Sequence, residues 1–117
     1  MTIQAPPTPS EPSHLACARS EVPTDGAVLT CRVEGRAIAV ARRSAGSDDI
    51  VAFDTRCPHM DGPLRLGRVV EGEVICPWHF FRFDVCTGHA VACDKSQMQL
   101  KIYPVKVLDD KVYVDIQ

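Results

Sequence analysis

An all-β domain of short strands is what this sequence predicts, and three features say so. Toward the C-terminus Met98, Leu100 and Ile102 alternate with Gln97, Gln99 and Lys101, and Val112, Val114 and Ile116 alternate with Tyr113 and Asp115. A period of two marks a half-buried strand. Clusters such as Pro23-Thr24-Asp25-Gly26 and Asp109-Asp110-Lys111 cut the chain into short pieces. No stretch carries its apolar residues at the helical period. The 117 residues suffice for one domain with a modest core and show no internal repeat.

Taken in order, residues 1–13 hold Pro6, Pro7, Pro9 and Pro12, which block helix and strand pairing alike. They read as a disordered tail ahead of a single domain at 14–117. His14, at the tail's edge, is expected to be exposed and is assigned no role. Leu15–Ala18 and Val28–Val33 are the first strands, and Glu34-Gly35 is a tight turn into Ala37–Ala41. Arg42 to Asp49 is a polar loop. Ile50–Phe53 then leads to Cys57. Pro58, Gly62 and Pro63 shape the loop that follows, with Leu64 and Leu66 packed beneath it. Val69-Val70-Glu71-Gly72-Glu73-Val74-Ile75 reads as a hairpin, and Phe80 to Val85 alternates as a strand. Thr87-Gly88 turns the chain. The two alternating C-terminal segments read as a strand pair, and Pro104 marks an edge or a bulge in the first.

The chemistry is concentrated between Cys57 and His79. Cys57-Pro58-His59 and Cys76-Pro77-Trp78-His79 each offer one thiol and one imidazole, with sixteen residues between His59 and Cys76. Thiolate selects zinc, copper(I) or iron–sulfur clusters, and imidazole suits zinc, copper and iron. A zinc site of two cysteines and two histidines usually takes each pair from one knuckle. Here each segment supplies one of each. That arrangement suits a two-iron cluster, with Cys57 and Cys76 on one iron and His59 and His79 on the other.

These motifs, together with Phe83-Asp84-x-x-Thr87-Gly88, resemble the Rieske family, whose [2Fe–2S] centre carries two histidines on one iron. The resemblance implies one such cluster held by Cys57, His59, Cys76 and His79. It implies an antiparallel, β-sandwich-like scaffold with a small cluster-binding subdomain, about residues 56–85, at one tip. The histidine-bound iron would lie outermost, with Pro58, Pro77 and Trp78 around it as a docking surface. High-potential members place a serine and a tyrosine where this chain has Phe81 and Phe83. Those hydroxyls donate to cluster sulfur, and phenylalanine cannot, so the potential is expected near the low end of the family range, about −150 mV.

The family's respiratory and photosynthetic members add a disulfide between the two loops and a membrane anchor. Here Asp61-Gly62 and Trp78 occupy the candidate positions and no anchor is seen. Both departures point to a soluble ferredoxin. The expected function is one-electron transfer from an NAD(P)H-dependent flavin reductase to a terminal oxygenase, without catalysis of its own. The alternative is a small subunit of a larger reductase, such as assimilatory nitrite reductase. A terminal oxygenase would also need an iron held by two histidines and a carboxylate. Only His14 and His89 are left over, and His89 reads as a surface residue. The segment from His89 to Ser96 lacks the proline of the family's usual third loop.

Composition fits this reading. A net charge of −2 implies no nucleic-acid surface. All four lysines follow residue 94 and the nine arginines lie between Arg19 and Arg82, a split that reads as solvated surface. Neither an export signal nor an apolar run longer than about five residues is present, so a cytoplasmic monomer is expected. In a reducing compartment Cys17, Cys31, Cys86 and Cys93 read as free thiols, with a Cys86–Cys93 bridge or a second metal site as alternatives.

Overall fold

The computed structural model describes residues 14–58, 62–78, 81–91 and 99–116. The expected tail, His59, Asp61, His79, Cys93 and most of the proline-free third loop lie outside the described residues. In chain order the strands are β1 (His14–Ala18), β2 (Leu29–Val33), β3 (Arg36–Arg42), β4 (Ile50–Asp54), β5 (Arg68–Val70) and β6 (Glu73–Ile75). They continue as β7 (Arg82–Asp84), β8 (Ala90–Val91), β9 (Ile102–Tyr103), β10 (Val105–Leu108) and β11 (Lys111–Val114). The all-β expectation holds. Among the described residues all strand pairs are antiparallel and form three sheets: β1-β11-β10, β2-β3-β4-β9 and β5-β6-β7-β8.

The second sheet is the middle layer, and the period of two along β3 and β4 shows why. Ile38, Val40, Ile50 and Ala52 face a core completed by Val112 and Val114 of β11 and by Cys17 of β1. Ala39, Ala41, Val51 and Phe53 face a second core, completed by Val69, Val74, Phe83 and Leu100. A strand covered on both faces reads as a continuous apolar run, which explains Ala37 to Ala41. Each fully buried valine, leucine or phenylalanine contributes about 1.5–3 kcal/mol.

Three hairpins turn on the same backbone device. Glu34 and Gly35 (φ 52° and 79°), Glu71 and Gly72 (46° and 83°), and Asp109 and Asp110 (51° and 62°) all have positive φ at both turn positions. That conformation matches the right-handed twist of the strands it joins. Asp25-Gly26 ties the middle sheet to the third. The Val69 amide donates to the Gly26 carbonyl at 2.8 Å, and Arg68 Nη1 donates to the Asp25 carbonyl at 2.9 Å. The Asp25 carboxylate accepts from the Ala27 amide, which with neighbouring Arg68 holds its pKa below the usual value.

Four expectations need correction. The expected C-terminal strand pair turns at Asp109-Asp110 as β10–β11, but the part of its first strand before Pro104 is β9, which pairs with β4; Gln97 and Met98 lie outside the described residues. Pro104 therefore marks the crossing from one sheet to another, because a residue without an N–H suits the gap between two ladders. Leu64 is fully buried beneath the loop, but Leu66 is 67% exposed. Arg42 does not begin a polar loop. It ends β3 and is 7% exposed, donating to the carbonyls of Val22, Ser47 and Arg19. Finally, His14 is half-buried and opens β1, with Nε2 3.9 Å from Glu34.

Candidate metal centre

The two expected ligand loops are closed in the same way. The Cys57 amide donates to the Gly62 carbonyl at 2.8 Å, and the Cys76 amide donates to the Phe81 carbonyl at 2.7 Å. Each cysteine thus bonds the residue five places on. His59 falls within the first closed span and His79 within the second. Pro58 and Pro77 follow the cysteines and set the direction of each turn. Arg56 and Pro63 pair across the neck of the first loop, and the Leu64 amide also donates to the Gly62 carbonyl.

The loops meet at Gly62. A β-carbon there would stand 2.8 Å from Cys76 Sγ, 3.4 Å from the Cys57 β-carbon and 3.5 Å from that of Trp78. Only glycine lets the first loop approach so closely to the sulfur of the second. Cys57 and Cys76 are both fully buried and belong to the second core, over Leu64, Val69, Val74 and Phe83. The Trp78 amide points its N–H at Cys76 Sγ from 3.4 Å. Two buried cysteines brought together at one glycine over an apolar floor fit the thiolate side of a [2Fe–2S] group.

The remaining candidate residues are placed as follows. Trp78 is 48% exposed, despite its size. Pro58 and Pro77 are also exposed. Phe81 is half-buried against the second core, and Phe83 is fully buried in it, opposite Val74 in the ladder. Both pack as apolar side chains. His89 is exposed, and Cys86 is an exposed free thiol. Among the described residues no three His, Cys, Asp or Glu side chains converge to form a second metal site. No helix among them is long and apolar enough to cross a membrane.

The Asp84-x-x-Thr87-Gly88 segment buttresses the site. Asp84 Oδ1 accepts from the amides of Cys86 (2.7 Å) and Thr87 (3.0 Å), and the Gly88 carbonyl accepts from the Leu100 amide at 2.8 Å. This fixes the end of β7 and joins the third sheet to the chain entering β9. Sequence reasoning saw the motif without its mechanism, and it saw Gly62 only as a turn residue. Gly62 is a contact residue, and its place between the two cysteines in the chain was the available signal.

The profile of the Rieske [2Fe-2S] domain matches residues 13–104. The ferredoxin component of the naphthalene 1,2-dioxygenase system of Pseudomonas aeruginosa is 37% identical over 101 residues, covering 86% of this chain and 92% of that protein. The ferredoxin of carbazole 1,9a-dioxygenase from Nocardioides aromaticivorans IC177 superposes with a TM-score of 0.74 at 25% identity, covering 91% of this chain and 98% of that one. A chain from a complex of reduced oxygenase and oxidized ferredoxin in carbazole 1,9a-dioxygenase superposes with a TM-score of 0.70 at 30% identity, covering 86% of this chain and 89% of that one. With the two cysteine loops closed alike over one core, this chain belongs to the Rieske [2Fe-2S] domain family, carries that family's type of cluster and resembles its dioxygenase ferredoxins.

Proposed function

We propose that this chain is the ferredoxin component of a ring-hydroxylating dioxygenase system, a cytoplasmic monomer that relays single electrons from an NAD(P)H-dependent flavin reductase to a terminal oxygenase. The observation that carries the reading is the meeting of two identically closed cysteine loops at Gly62. Likeness to ferredoxin components over nearly their whole length supports a carrier over a catalytic subunit. Cys57 and Cys76 would hold one iron, and His59 and His79 the other. Bound there, the cluster supplies a one-electron redox centre.

The chain's own groups divide the remaining work. The buried floor of Leu64, Val69, Val74 and Phe83 keeps water from the cysteine side. The Trp78 amide donates to Cys76 sulfur and so moderates its negative charge. Exposed Trp78, which precedes His79 in the chain and is flanked by Pro77, offers a partner an apolar contact, with exposed Pro58 on the first loop. The experiment is direct. Purified protein should be coloured, contain two irons and two acid-labile sulfides per chain, accept one electron and pass it to a dioxygenase. A colourless protein with stoichiometric zinc would overturn the reading. His79→Ala should leave apo or misassembled protein, and a normal visible spectrum in that variant would remove His79 from the ligand set.

A further inference from the structure

Two thiols in the first core have no part in electron relay. Cys17 lies on β1 and Cys31 on β2, which belong to different sheets and share no ladder. They are 9% and 7% exposed, and their side chains are hydrogen-bonded to one another. The backbone is adjusted to bring them together. A period of two would put Leu15 and Cys17 on one face of β1, yet Leu15 is 55% exposed and Cys17 is buried. A register shift between them re-aims Cys17 inward, as bulges do. We propose that Cys17 and Cys31 form an oxidative modification site, a dithiol that closes to an intersheet disulfide when hydrogen peroxide reaches it.

The order of events follows from the hydrogen bond. Cys17 S–H donates to Cys31 sulfur, which holds the Cys31 thiol below its ordinary pKa; the same bond and burial push Cys17 up. Cys31 thiolate is therefore the first nucleophile. It attacks one peroxide oxygen, the O–O bond breaks, and the leaving hydroxide takes up a proton to become water. Cys31 is left as a sulfenic acid. Cys17 sulfur then attacks Cys31 sulfur. The S–S bond forms, the S–O bond breaks, and the sulfenic oxygen leaves as water with the Cys17 proton. Two electrons pass from the sulfurs to peroxide, and two waters are released in all.

The test uses cluster-loaded protein in a Cys86→Ser/Cys93→Ser background, so that neither of those thiols can compete. After peroxide treatment the protein is alkylated in denaturant and digested with trypsin. The tryptic peptides ending at Arg19 and Arg32 should appear linked, lighter by two hydrogens, and dithiothreitol should separate them. The unfolding temperature should rise with the linked fraction. Cys31→Ser and Cys31→Ala should leave Cys17 fully alkylated. Both thiols still alkylated after the visible absorbance has bleached, or Cys31 oxidised to sulfonic acid without linkage, would overturn the proposal.

Discussion

The two faces of the middle sheet are built for different ends. Toward β1-β11-β10 the core consists mainly of branched aliphatics: Val33, Ile38, Val40, Ile50, Val112 and Val114. Toward β5-β6-β7-β8 the same strands present Ala39 and Ala41 beside Phe53, and the packing opposite includes Phe83, Leu64, Leu100, Cys57 and Cys76. Small residues on β3 admit large ones from the loop-bearing sheet, which brings the cysteines down onto the core. Apart from the Cys17–Cys31 pair, the first face asks mainly for apolar volume. The second asks for particular atoms in particular places, with Gly62 as its tightest point. Damage to the first face should therefore lower stability and spare the cluster, whereas damage to the second should remove the cluster itself.

The largest effect belongs to the sulfurs. Cys57→Ser should give protein without the visible absorbance of the cluster and with a lower unfolding temperature, because cluster binding and ordering of the loops are coupled. Gly62→Ala tests the geometry without touching a ligand. Its new methyl would stand 2.8 Å from Cys76 Sγ, so one loop must move. Iron and sulfide content should fall well below that of the unaltered protein. Full occupancy with an unchanged spectrum would show that the loops tolerate separation and would erase the difference between the two faces.

Arg42→Met is the counterpart on the scaffold. It removes three donations to the carbonyls of Val22, Ser47 and Arg19 from a residue that is 7% exposed. The cost should be about 2–4 kcal/mol, because one buried and two part-buried carbonyls lose a donor. Urea unfolding measures it. The cluster spectrum before unfolding should match that of the unaltered protein. Loss of iron alongside stability would mean that the middle sheet transmits strain to the loops.

Arg42 also marks the limit of what the sequence discloses. The all-β class, the hairpin turns at Glu34-Gly35 and Asp109-Asp110 and the two cysteine loops were legible, because each is a local pattern read within a few residues. Arg42 was not, since its acceptors lie on two turns far from each other in the chain, Arg19–Val22 and Ser47, and an Arg-Arg pair before Ser-Ala-Gly looks solvated. The partner of Ile102 was missed for a related reason. Alternation reports that a residue is half-buried, not which strand lies beside it, and β9 pairs with β4 from across the chain. The three-sheet layering was hidden as well, although a strand apolar on both faces was its visible trace.

A smaller effect is expected at the surface. Trp78→Ala removes an exposed ring next to the second loop but leaves the Trp78 amide and its bond to Cys76 sulfur in place. Electron transfer at limiting partner concentration should slow several-fold, with an almost unchanged cluster spectrum, since aromatic anchors often dominate an interface. Stopped-flow reduction by the reductase, and oxidation by the oxygenase, show which encounter uses the ring. Equal rates in both directions would remove Trp78 from the docking surface.

The smallest effect concerns the potential. Each hydrogen bond donated to cluster or ligand sulfur favours the reduced state and raises the potential. The described loops supply one such donor to Cys76, the Trp78 amide. Phe81 and Phe83 lie where hydroxyls would add two more, but their side chains pack against the second core. The wild-type potential should therefore lie near −150 mV, at the low end of the Rieske range. A new bond worth about 1 kcal/mol corresponds to roughly 40 mV for one electron. Phe81→Ser combined with Phe83→Tyr should then raise the potential by roughly 40–80 mV, between one such bond and two. Phe83 is the harder position, because it is fully buried and a hydroxyl there must find sulfur or remain unpaired. The single variants separate these outcomes. A rise in Phe83→Tyr means that its hydroxyl reaches sulfur, while an unchanged potential with lower stability means that it does not. Protein-film voltammetry at neutral pH reads both. A wild-type potential above about +100 mV, in the upper part of the family range, would falsify the low-potential reading and the dioxygenase-ferredoxin assignment with it.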